Sequence, residues 1–229
     1  MSITRPSQWF QRQASDPFVR ARAADGLRAR SAFKLQELQR QHGLLRRGAV
    51  VLDLGAAPGG WAQVAAAAVG PAGRVVAVDL LPIDPLPGVH VVTGDARDPL
   101  VLERVRALAR HGAAGADVAD NDVVDDNGDD DQPAFDVLLS DMAHSFTGHR
   151  SADVARVQAL CEFALEAAAH PWVLRNGGNL VCKFLRGAGE HELRALCQQL
   201  FTKVVVDKPK ASRKESSEAY LVCLGFKRH

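Results

Sequence analysis

Val50-Val51-Leu52-Asp53-Leu54-Gly55-Ala56-Ala57-Pro58-Gly59-Gly60-Trp61 is the stretch that decides the fold. Five residues of strand-forming, largely apolar character run into three glycines, and an Ala-rich helical stretch from Trp61 to Val69 follows. A buried strand, a glycine turn and a helix open a doubly wound α/β sheet. Working outward, the pattern repeats: strands at Arg74 to Asp79 and Val89 to Thr93, then a helix from Pro99 to about Arg110 with apolar residues three and four apart. Phe135 to Ser140 reads as another buried strand, followed by a helix over roughly Asp153 to Ala169 and a Gly177-Gly178 turn. Asn179 to Leu185, a helix from about Glu190 to Leu200, and strands Lys203 to Asp207 and Ala219 to Gly225 complete the order. The expectation is a mostly parallel seven-stranded sheet with helices on both faces, closed by an antiparallel edge hairpin.

The 229 residues suit one domain, 48–229, preceded by a basic helical segment, 1–47. No run approaches the roughly 20 apolar residues of a membrane helix, so no membrane partner is expected. A net charge of +1 argues at first against nucleic acid, but the charges are segregated. Residues 1–47 carry ten basic side chains against three acids, whereas 117–131 hold eight Asp and no base. The stretch 112–133 therefore reads as a disordered acidic insert. Cys161, Cys182, Cys197 and Cys223 stand far apart without a Cys-x-x-Cys pair, which predicts free thiols, a reducing compartment and no metal site. Residues 1–15 contain Arg5 and Arg12 and no acid, a faint transit-peptide character.

The glycine turn, Gly55, Gly59 and Gly60, allows a ligand close to the backbone. It lacks the Lys-Ser/Thr of a phosphate-binding loop, because Trp61-Ala62 follows, and its spacing departs from Gly-x-Gly-x-x-Gly. Asp79 ends the second strand about 20 residues on, where a carboxylate accepts from a ribose diol. Asp95, after the third strand, suits an adenine amino group. Adenosine held without phosphate-binding side chains points to S-adenosylmethionine; either acid alone would also serve to cap the helix that follows, a reading the combination disfavours.

Methyl transfer to a hydroxyl requires a group that takes its proton or stabilises the alkoxide. Lys183 lies in an otherwise apolar strand, Leu180-Val181-Cys182-Lys183-Phe184-Leu185, and a lysine there must reach a cleft or a carboxylate. Asp141, ending the preceding strand, is a fitting partner. Lys34, on a helix whose Phe33 and Leu38 would pack inward, and Glu218, just before the last strand, are the other candidates. Each alone reads equally as a surface ion pair.

These residues resemble the FtsJ-type ribose 2′-O-methyltransferases of large-subunit ribosomal RNA, including the mitochondrial members. The likeness runs through Ser7-Gln8-Trp9, Asp16-Pro17-Phe18-Val19, Arg30-Ser31-Ala32-Phe33-Lys34-Leu35 and Asp53-Leu54-Gly55-Ala56-Ala57-Pro58-Gly59-Gly60-Trp61. It continues in Asp79-Leu80-Leu81-Pro82, Ser140-Asp141-Met142-Ala143 and Lys208-Pro209-Lys210-Ala211-Ser212-Arg213. The resemblance implies a Rossmann-like S-adenosylmethionine-dependent domain and a Lys-Asp-Lys-Glu tetrad at Lys34, Asp141, Lys183 and Glu218. Lys183 would accept the proton or stabilise the alkoxide, with Asp141 orienting it. Cofactor positions carry over as Gly59, Trp61, Asp79, Asp95 and Asp141, with S-adenosyl-L-homocysteine as product. The family pattern continues with Pro after Ser-Asp-Met-Ala, where this chain has His144-Ser145.

By the same resemblance the substrate is a uridine in the A loop of large-subunit rRNA, free or in a precursor subunit, and the protein acts as a monomer. Arg28, Arg30, Lys208, Lys210, Arg213 and Lys214 are the candidate RNA contacts, giving affinity and salt dependence more than sequence information. The competing readings are an assembly factor acting mainly by rRNA binding, a tRNA 2′-O-methyltransferase and a small-molecule methyltransferase. Asp16-Pro17-Phe18 and Ser212-Arg213-Lys214-Glu215-Ser216-Ser217-Glu218 resemble the mitochondrial and alphaproteobacterial branch. The expected compartment is the mitochondrial matrix, with a bacterial cytoplasm as the alternative.

Overall fold

The computed structural model describes Phe18, Ala21 and residues 25–111, 132–144, 147–213 and 215–228. The acidic insert over 112–131, the motifs before Phe18 and Lys214 lie outside the described residues. Strand β1 (Val50–Leu54) is buried along its whole length, as a central strand covered on both faces must be. The others are β2 (Arg74–Asp79), β3 (Val89–Thr93), β4 (Phe135–Ser140), β5 (Leu174–Leu185), β6 (Phe201–Asp207) and β7 (Glu218–Phe226). They form one sheet in the order β3-β2-β1-β4-β5-β7-β6. The first five are parallel, and β7 runs antiparallel to both β5 and β6. The expected hairpin of β6 and β7 is therefore present, with β7 between β5 and β6 and β6 at the edge.

One expectation is overturned. Gly177-Gly178 does not end a segment but lies within β5, which begins at Leu174. Phe135 pairs with Leu174, yet Val137 pairs with Asn179, so the glycines occupy an irregularity that takes up extra residues on β5. Gly177 has φ +78°, and a Cβ on Gly178 would stand 2.8 Å from the Arg175 carbonyl. Two glycines thus permit a bulge where the sequence pattern suggested a turn.

Five helices cover the sheet among the described residues: α1 (Ser31–His42), α2 (Gly60–Val69), α3 (Pro99–His111), α4 (Arg150–Ala169) and α5 (Glu190–Leu200). Strand alternation separates two cores. Val51, Ala77, Leu139, Val181 and Val222 face α1 and α2, while Leu52, Val78, Leu138, Leu180 and Cys182 face α3, α4 and α5. Helix α1 inserts Ala32, Leu35 and Leu38 into the first core and stops at Gly43, whose left-handed backbone donates its N–H to the Gln39 carbonyl. All four cysteines are buried and free. Among the described residues no helix is long and apolar enough to cross a membrane.

Candidate active site

The parallel strands end together at one rim, and there β4, β5 and β7 place the predicted polar residues side by side. Asp141 follows the last residue of β4. Lys183, on β5, is buried because its neighbours form the apolar strand, and its ammonium donates to the Asp141 carbonyl at 2.6 Å and to Asp141 Oδ1 at 3.1 Å. That answers the cost of burying a lone cation. Glu218 opens β7 and accepts from Lys34 Nζ at 2.6 Å and from Ser212 Oγ at 2.8 Å, both through Oε1. Burial opposes the Glu218 charge, but the Lys34 ammonium, the Ser212 hydroxyl and Lys183 together hold its carboxyl below the usual value.

Tyr220 joins the two pairs. It sits opposite Lys183 across the β5–β7 ladder, and its hydroxyl donates to Asp141 Oδ1 at 2.8 Å. Lys34 Nζ lies 5.8 Å from its ring centroid, and the Trp61 ring packs 5.5 Å away. Burial, with Asp141 and Glu218 alongside, pushes the phenol well above its ordinary range, so it remains a donor. The four expected residues are thus brought together as two ion pairs linked by a tyrosine that the sequence pattern did not single out. Its spacing of two from Glu218, which puts both on one strand face, is the available signal.

The glycine turn lies beside this cluster. Gly55 has φ +71°, and a Cβ there would collide with the side chain of Met142, the residue after Asp141. Gly59 has φ +101°, and a Cβ would stand 2.7 Å from Leu86 Cδ1. A Cβ on Gly60 would meet Ala29 Cβ at 2.8 Å. Trp61 is buried and its indole donates to the Ser31 carbonyl at 2.9 Å, fastening α2 under α1. Asp79 accepts from the Ala57 amide at 2.9 Å and the Leu81 amide at 2.8 Å, and so fixes the turn. Asp95 is held by Arg97 through both carboxylate oxygens, at 3.0 and 2.6 Å, which lowers its pKa.

Asp53 was not among the expected site residues. It is fully buried on β1, and neither carboxyl oxygen has a partner in hydrogen-bonding geometry. Burial first, then the nearby Asp141 and Asp79, raise its pKa well above the ordinary range, which the Ala62 amide only partly offsets. Asp79 and Asp141 thus lie close to the buried, proton-holding Asp53 beside the glycine turn, and it is these two carboxylates that favour a cationic ligand.

Basic residues flank the rim in two groups. Arg28 donates to the Asp84 and Pro85 carbonyls at 2.5 and 2.6 Å, and Arg30 to the Ala211 carbonyl at 2.7 Å. Lys208 Nζ donates to the Ser216 carbonyl at 2.7 Å, and Lys210 and Arg213 are exposed. Buried Glu37 accepts from the Lys210 amide at 2.8 Å, tying the 208–213 loop to α1. Among the described residues no group of His, Cys, Asp and Glu is arranged to hold a metal ion.

The model of the FtsJ-like methyltransferase family matches residues 27–226. A protein of Gluconobacter oxydans named Ribosomal RNA large subunit methyltransferase E is 38% identical over 224 residues, spanning 98% of this chain and 74% of its own length. One of the same name from Marinobacter nauticus is 38% identical, covering 96% of each chain. A third, from Pseudomonas paraeruginosa, is 36% identical over 99% of both. Among solved structures, a Plasmodium falciparum chain described as a ribosomal RNA methyltransferase superposes with a TM-score of 0.66 at 23% identity, covering 88% of this chain and all of that one. Aeropyrum pernix fibrillarin, solved with S-adenosyl-L-methionine, gives 0.50 at 16% identity, covering 85% and 76%. At those identities the two structures speak for the fold alone.

Proposed function

The chain belongs to the FtsJ-like methyltransferase family, and from that premise we propose that it methylates a ribose 2′-hydroxyl of large-subunit rRNA, using S-adenosylmethionine, during ribosome assembly. A uridine in the A loop is the proposed target. The observation that carries the reading is the paired arrangement of Lys183 with Asp141 and Lys34 with Glu218 around Tyr220 at one rim of the sheet. The names borne by the bacterial relatives favour rRNA over tRNA or a small molecule.

The residues present fit the cofactor. Asp79, ending β2, and Asp95, following β3, are proposed to hold the adenosine, and the carboxylates of Asp79 and Asp141 suit a cationic group. Gly55, Gly59, Gly60 and Trp61 form the turn along which it would lie. When bound, S-adenosylmethionine supplies a methyl group on an electron-poor sulfur.

The chain's own part is to hold the ribose oxygen in line and to stabilise its charge. Lys183, fixed by two Asp141 oxygens, presents its ammonium to the 2′-oxygen as the hydroxyl proton leaves to water. Lys34, neutralised by Glu218, keeps the second basic position in place without adding net charge to the site. Arg28, Arg30, Lys208, Lys210, Arg213 and Lys214 are proposed to grip the phosphates. The bacterial relatives suit a bacterial cytoplasm, and the mitochondrial matrix remains the reading carried by the N-terminal and 212–218 motifs.

Substituting Lys183→Ala is expected to abolish methyl transfer to rRNA while cofactor affinity by calorimetry stays within about twofold. Substantial residual methylation would sink the mechanism. Restoration of subunit maturation by the Lys183→Ala protein in cells lacking the wild type would make RNA binding the primary role.

A further inference from the structure

On the α4 and α5 face of the same rim, a cleft of about 640 Å³ opens between the first turns of α4 and the loop after β5. Val154, Ala155, Gln158, Gly187, Ala188 and Gly189 line it. A volume in this range is that of an ordinary small-molecule pocket, large enough for a nucleotide. It is separate from the glycine turn, which lies across β1, and no residue assigned above contributes to it.

Three features identify the occupant. The loop is the direct continuation of the strand that carries Lys183, and the Arg186 amide donates to the Ser217 carbonyl, next to Glu218, at 2.8 Å. The cleft therefore begins where the tetrad ends. Its lining includes Arg150, whose side chain is exposed and makes no ion pair among the described residues. Five of the lining residues are small and apolar, whereas His149, Ser151 and Gln158 are polar, and the Gln158 Nε2 donates to Glu162 at 2.9 Å, directing the amide. A guanidinium in the lining, a mainly apolar wall and a few hydrogen-bonding side chains match a nucleotide: phosphate at Arg150, base inside, an edge read by Gln158.

We propose that this cleft takes an unpaired nucleotide of the RNA, one flanking the methylated residue, as the strand crosses the rim. The inference deepens the rRNA-methyltransferase reading and rests on it for the identity of the polymer. An unpaired base is required because a base stacked and paired in a duplex cannot leave the strand to enter a cleft.

The test uses the whole chain without cofactor and follows the fluorescence anisotropy of a labelled single-stranded oligouridylate. Ala155 is exposed on α4, so Ala155→Trp fills the cleft without entering the core. The expected result is a Kd raised about tenfold by Ala155→Trp and severalfold by Arg150→Ala, with the thermal unfolding midpoint unchanged. In parallel, 4-thiouridine in the oligonucleotide is expected to photocrosslink within 150–158 or 186–189. Values of Kd within twofold of wild type, no measurable binding by the wild-type chain, or crosslinks confined elsewhere would each overturn the proposal. Because no turnover is read, failure of methyl transfer by the wild type would sink the functional reading and leave this measurement to stand on its own.

Discussion

Asp53 carries the largest unmet cost in the site, and its consequence is a pH dependence. Its folded pKa is raised by burial and by Asp141 and Asp79, so the folded protein keeps the proton where the unfolded chain, with a carboxyl near about 3.9, has released it. Stability from this group is therefore present at low pH and lost as pH rises through the folded value. Asp53→Asn removes that slope: the mutant's unfolding midpoint should gain on the wild type's as pH climbs from about 4 to neutrality. A gap independent of pH, read by thermal melts across that range, would show that Asp53 does not titrate there. Legibility at this scale followed chemistry. A lysine inside an apolar strand demands a partner, so Lys183 and Asp141 could be read from sequence. Asp53 passed unnoticed inside a glycine motif, and Tyr220 looked like one more strand aromatic, because only the ladder register shows that it faces Lys183.

Among the elements, α1 is bound to the β6–β7 connection by a row of polar contacts. Arg30 holds the Ala211 carbonyl, Lys34 holds Glu218, Glu37 holds the Lys210 amide, and His42 meets Asp207 at 2.8 Å. These partners lie far apart in sequence, so no local periodicity reveals them. The same limit explains Gly177-Gly178, whose turn-like composition was overridden by the distant pairing of Phe135 with Leu174. Strands and helices with strong periodicity, by contrast, lie where the pattern put them. Glu37 is the positioning residue of this row. Glu37→Ala leaves the Lys210 amide without its acceptor, at about 1–3 kcal/mol of stability, and should loosen the 208–213 loop. The expected signature is a severalfold rise in KM for RNA with kcat little changed, and recovery in Glu37→Gln, whose amide oxygen still accepts. A fall in kcat at unchanged KM in initial-rate titrations would contradict it.

For the whole molecule the deciding quantity is where charge sits. The chain's net +1 is the sum of −8 over 117–131 and +9 on the remaining residues. Exposed charges act over a Debye length of about 8 Å at physiological salt, so an acidic segment weakens RNA binding only from nearby or at low ionic strength. The flanks of the insert are tied to each other without it: Arg110 donates to the Gln132 carbonyl at 3.3 Å, and Arg175 to Asp136 at 3.0 Å and to the Pro133 carbonyl. Replacing 112–131 by a short Gly-Ser linker should therefore leave the unfolding midpoint nearly unchanged. It should also strengthen binding to unrelated RNA severalfold at low salt, because fewer negative charges oppose the counterion release that drives phosphate contacts. That advantage should vanish as salt approaches about 1 M, where screening shortens to about 3 Å. Anisotropy titrations of both proteins over a salt series separate two origins: a converging pair of lines means electrostatic damping, whereas parallel lines mean that the insert covers RNA-binding surface, and the charge argument fails.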